Sequence, residues 1–78
     1  MKTVVVHRFR MSDVEDPDLW AAQSLWEWEK SEKGSWVMEN THEPTWNRNI
    51  DYAMSGWVYT ITTKMDDYQY TYYKLKYE

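Results

Sequence analysis

Cysteine is absent from the 78 residues, and only two glycines and two prolines are present. Without cysteine there are no disulfides and no thiolate metal ligands, which fits a reducing cytoplasm. No run of 18 apolar residues occurs, so no apolar membrane helix is expected. The first residues lack the charged, apolar, small-residue order of a signal peptide, and the expected location is cytoplasmic. Gly34 and Gly56 are too few and too far apart for a phosphate-cradling loop, and no serine lies in a G-x-S-x-G turn. Aliphatic side chains are scarce as well: six Val, two Ile and three Leu. The abundance lies in rings, with six Trp, seven Tyr and one Phe making 18% of the chain. Each large ring buries about 150–250 Å², so rings must supply much of any core. The length suits one domain, residues 1–78, near the lower limit for a core without staples.

Acidic charge is also missing from the first eleven residues, which carry Lys2, Arg8 and Arg10. Residues 12–51 reverse this, with ten acids against Lys30, Lys33 and Arg48, and the net charge is −4. An acidic middle repels a phosphate backbone and disfavours polyanions as the main partner. No repeat or low-complexity tract marks a boundary.

Residues 3–11 (TVVVHRFRM) are β-branched and free of breakers, and predict a strand. Alternation puts Val5, His7, Phe9 and Met11 on a core face, with Val4, Val6, Arg8 and Arg10 opposite. Asp16-Pro17 fits an N-cap with proline at the first helical position. Segment 24–34 admits two conformations. As a helix it has Ser24 and Glu27 as a capping box, a Glu29–Lys33 pair and Gly34 as C′. As a hairpin it turns at Glu32-Lys33-Gly34. Helix is preferred, because Glu and Lys suit helices better than strands. Residues 35–40 read as a strand, and Pro44 as a turn. Segment 45–55 offers Trp46, Ile50 and Met54 at helical spacing, and Trp46, Arg48, Ile50 and Tyr52 at strand spacing; strand then loop is the expectation. Residues 57–64 alternate as a strand, and 69–77 are read as its hairpin partner, setting Ile61 opposite Tyr73, Tyr59 opposite Leu75 and Trp57 opposite Tyr77. Trp57, Tyr59, Tyr73 and Tyr77 then share a core face, covered by Trp28 or Trp26.

The expected fold is therefore α+β, an antiparallel sheet of four to five strands with one short helix, in the order β-α-β-β-β-β. An almost all-β chain is the alternative.

Few residues point to chemistry. His7 falls on a core face and His42 in a turn, without the spacing of a metal pair or a nucleophile beside them. The acidic run Asp13, Glu15, Asp16 and Asp18 contains Pro17 and lacks the glycine of a calcium loop. No catalytic residue, cofactor or metal ligand is assigned, and enzymatic activity is not expected. Rings left outside the core, namely Trp20, Trp46, Tyr70 and Tyr72, form a candidate interface, since Trp and Tyr are enriched at protein contacts. As an alternative, Tyr70, Tyr72, Lys74 and Lys76 on the last strand, with Arg8 and Arg10, would make an aromatic and basic face for single-stranded nucleic acid.

Three segments carry a resemblance: DVEDPDLWAAQ (13–23), WEWEKSEKGSWVMEN (26–40) and the closing YYKLKY (72–77). Together they resemble small uncharacterised proteins encoded by tailed bacteriophages, especially T4-like marine ones. The resemblance implies a phage accessory or structural role in the infected host's cytoplasm, and supplies no activity, cofactor or site. The functional expectation is a non-enzymatic interaction module that self-associates, with a dimer favoured and a host or phage protein as a further partner.

Overall fold

A computed structural model describes residues 1–53 and 55–78. The elements are β1 (Lys2–Ser12), α1 (Pro17–Lys30), α2 (Glu32–Asn40), β2 (His42–Asp51), β3 (Gly56–Met65) and α3 (Asp67–Tyr77). The strands form one antiparallel sheet in the order β1-β3-β2. The chain is α+β, but the expectation of four to five strands and one short helix, and its all-β alternative, are overturned. Among the described residues, three strands and three helices run in the order β-α-α-β-β-α.

The largest correction is α3. Residues 69–77 do not return beside β3, whose two neighbours are β1 and β2. They form a helix because Asp66 caps it: its carboxylate accepts from Gln69 N at 2.8 Å, and the Gln69 side chain accepts from Asp66 N at 3.0 Å. That reciprocal box satisfies two orphan donors of the first turn. Tyr70, Tyr73 and Tyr77 then recur at spacings of three and four, and all three meet the core. Tyrosine's β-propensity yields to cap and packing.

A second correction lies at residues 31–40. Ser31 ends α1 and caps α2, its hydroxyl accepting from Gly34 N at 3.1 Å and donating to Trp28 O at 2.5 Å. The strand expected at 35–40 is therefore helical. Ser24, expected as a cap, lies inside α1. Gly34 is not a left-handed C′ residue, since no glycine has positive φ. Its role is close approach: a Cβ there would stand 1.7 Å from the carbonyl oxygen of Trp28. Asp16 does cap α1 with Pro17 behind it, although its side chain makes no capping bond.

The strands at 3–11, 45–51 and 57–64 match expectation, and Met54 lies outside the described residues. In β1 a bulge between Val5 and His7 moves Val4 and Val6 onto the core side, together with His7, and leaves Val5 exposed. Val4, Val6, Trp28, Val37, Ile61, Met65 and Tyr73 form the core, with Leu25, Trp36, Tyr70 and Tyr77 packed against it. Trp28 covers the sheet and Trp26 is exposed.

All three helices send core residues to this one face. The opposite face pairs Arg8–Thr60–Asn47, Val5–Thr62–Thr45 and Arg10–Val58–Asn49 across the three strands. Gly56 lets β3 start tightly against β1, where a Cβ would come within 2.3 Å of Met11 O. Arg10 reaches Asp51 at 3.5 Å in the same corner.

Candidate interaction surface

Strand β2 lies at one edge of the sheet and is exposed over most of its length. Its helix-side residues are Trp46, Arg48 and Ile50, opposite Ile61, Tyr59 and Trp57 of β3. A polar node anchors this edge to the start of α1. Arg48 donates to Asp18 Oδ1 at 2.9 Å, and the Tyr59 hydroxyl donates to the same oxygen at 2.7 Å. The guanidinium also lies 4.5 Å from the Trp57 ring centre, a favourable cation–π distance. Burial and then the Asp18 carboxylate raise the Tyr59 phenol above its ordinary pKa. The sequence places Asp18 only in an acidic run and Arg48 only in a strand pattern, and does not bring the two together. Nothing local marks them, because they are 30 residues apart.

Above the node, Trp46 packs on Tyr59 with ring centres 5.6 Å apart. It also lines a narrow cleft of about 40 Å³ with Leu25, Trp28, Met38, Pro44 and Ile61. Since Asp18, Leu25 and Glu29 approach β2, the flank of α1 beside that edge is fixed. Residues three and four apart share a helix face, so Leu19, Ala22 and Trp26 form a stripe on the side of α1 turned away from the buried Ala21 and Trp28. Leu19 (72% exposed) and Trp26 (59%) are thus open on α1, Trp46 (43%) and Ile50 (52%) are open on the β2 edge, and Met38 (43%) lines the cleft beside Trp46.

The four interface candidates do not share one surface. Trp46 belongs to the β2 edge. Trp20 is exposed, but lies about 200° around α1 from Asp18 at 3.6 residues per turn. Tyr70 is half-buried against the core, with Lys2 and Lys74 over its ring at 4.3 and 5.5 Å. Tyr72 stacks on Trp36 at 5.2 Å. Trp36 continues to Tyr73 and Tyr77 at 6.3 and 5.9 Å, so this ring cluster joins α2 to α3.

The alternative nucleic-acid face is not assembled. Arg8 and Arg10 project from the sheet face away from the helices, whereas Tyr70, Tyr72, Lys74 and Lys76 lie on α3. Lys74 is drawn to Glu78 at 3.6 Å and Lys76 to Glu32 at 3.7 Å. The shared strand face that would have united them does not exist.

Other titratable groups have local partners. Burial, then Lys33, lowers the His7 pKa, and its ring stacks on Trp28 at 5.5 Å. Glu43 is held low by Lys64 at 2.8 Å, beside His42 in a depression of about 610 Å³. Among the described residues, no group of three or more His, Asp or Glu could hold a metal ion. No helix there is long and apolar enough to cross a membrane.

No protein-family model, curated protein or solved structure matches the chain.

Proposed function

We propose that the chain is a small non-enzymatic interaction module, of the accessory or structural kind encoded by tailed phages, and that it self-associates through aromatic surface. One observation carries this: three of the six tryptophans, Trp20, Trp26 and Trp46, are exposed, together with Leu19, Met38 and Ile50. Contiguous apolar patches above a few hundred Å² are rare on monomers and mark interaction sites. Interface cores are also enriched in Trp and Met. The ring economy of the sequence sharpens the point. Trp28, Tyr59 and Tyr73 are buried in the fold, whereas Trp26 and Trp46 stay outside in a chain short of aliphatics.

Static light scattering from low to high micromolar concentration tests the proposal. It predicts a mass rising to that of a dimer. A monomer throughout would refute it.

A further inference from the structure

The two edges of the sheet are guarded very differently. β1 presents exposed Lys2, Arg8 and Arg10 and is interrupted by the bulge at Val6. Charges and bulges are the usual means of keeping another strand away from an open edge. β2 has such a guard only at its start, where Pro44 follows Glu43 at φ 51° and the register shifts before Thr45. From Thr45 to Ile50 its one charge is Arg48, which is turned to Asp18.

That free run is nearly symmetric in sequence. Around Arg48 lie Asn47 and Asn49, then Trp46 and Ile50. We infer that a second copy of this chain adds antiparallel to β2 about a twofold axis at Arg48, joining two three-stranded sheets into one of six. This rests on the self-association proposed above and assigns it a surface and a register.

In that register Asn47 stands opposite Asn49 of the second copy on the open face, where side-chain amides pair readily across strands. Trp46 stands opposite Ile50 of the second copy on the helix side, an aromatic–β-branched pair. Arg48 meets its own counterpart at the axis, and Asp18 answers that repulsion. Each Asp18 is 55% exposed and takes both bonds on Oδ1, so its Oδ2 can receive Arg48 of the second copy. Two arginines and two aspartates then alternate with no net charge. A standard interface takes about 800 Å² per partner, more than one strand edge supplies. Leu25 and Met38, which line the cleft beside Trp46, extend the contact where the two helical layers meet.

The absence of cysteine makes a register test clean. Residues directly opposite in an antiparallel pair have Cα atoms about 4.5–5.5 Å apart, within disulfide range, whereas diagonal neighbours at about 7–8 Å are beyond it. Two exposed-site variants, Asn47→Cys and Asn49→Cys, would be oxidised separately and as a mixture. Their thermal unfolding would be compared with the parent, and their mass followed by light scattering. The mixture should form the disulfide dimer at least about tenfold faster than either variant alone. Cross-linking of one variant by itself would overturn the Arg48-centred register. A dimeric mass without any cross-link would overturn pairing through β2 while leaving self-association standing. A monomeric mass for parent and variants would overturn both.

Discussion

Gly34→Ala tests how tightly α2 folds back on α1. In a helix interior, exchange of glycine for alanine ordinarily stabilises by about 1 kcal/mol. Here the new Cβ would lie 1.7 Å from Trp28 O, 2.7 Å from Trp28 C and 3.1 Å from Glu29 Cα, all backbone atoms. No side-chain rotation relieves such an overlap. Carbon contacts settle at about 3.5–4.0 Å, so α2 must retreat by roughly 1–2 Å. That retreat strains the Ser31 cap, worth about 1 kcal/mol, and disturbs the buried Trp28 and Val37 at an overpacking cost of about 1–3 kcal/mol. The net expectation is a loss of about 2 kcal/mol, against a total stability of about 4–12 kcal/mol for a domain of this size. Thermal unfolding followed by circular dichroism should show Tm lowered by about 8–16 °C. Glu39→Ala, exposed on the same helix, should change stability by no more than about 0.5 kcal/mol. An unchanged or raised Tm for Gly34→Ala would show that helix propensity governs this position, and would refute the close-approach argument.

Three further outcomes follow from the same geometry. Asp66→Ala removes the capping box of α3 and should cost about 1 kcal/mol in urea unfolding, with loss of α3 ellipticity; no change would contradict the cap's role. Tyr59→Phe keeps the ring stacked on Phe9 at 5.1 Å and deletes its bond to Asp18, so a loss of about 1 kcal/mol is expected, shrinking in an Asp18→Asn background. The His7 pKa is lowered in the fold by burial and Lys33, so the folded state holds the proton less well than the unfolded state. Stability is therefore complete above the ordinary histidine range and falls as pH drops through the lowered folded pKa. His7→Gln should flatten that part of the stability–pH curve, and an unaltered slope would contradict the assignment.

How far the sequence reveals the fold can be followed residue by residue. β1 and β3 are legible because both are rich in β-branched residues and free of breakers, and Asp16-Pro17 marks the start of α1 correctly. The bulge at Val6 is not legible, since alternation alone assigns Val4 and Val6 to the wrong face. α3 is missed for a physical reason: Tyr and Thr favour strands, whereas Asp66 and Gln69 form a cap that reads as a turn when its reciprocal bonds are not considered. α2 is missed because Ser31 serves two helices at once, ending one and starting the next. Of the interface candidates, Trp46 sits on the β2 edge and Trp20 on another side of α1, a difference of helical angle invisible without the sheet. Asp18, Arg48 and Tyr59 meet only through tertiary structure. Met38 reaches the cleft beside Trp46 for the same reason.

The central claim is that the unguarded β2 edge holds a second copy of the chain. Sedimentation equilibrium of the parent and of Ile50→Lys at high micromolar concentration tests it most directly, with thermal unfolding confirming that both remain folded. Ile50 is about half exposed, so a lysine there places two new charges in the paired edge without opening the core. The parent is expected at twice the 9.6 kDa chain mass, and the variant at the single mass. A parent at the single mass, or a folded variant that keeps the double mass, would contradict the claim.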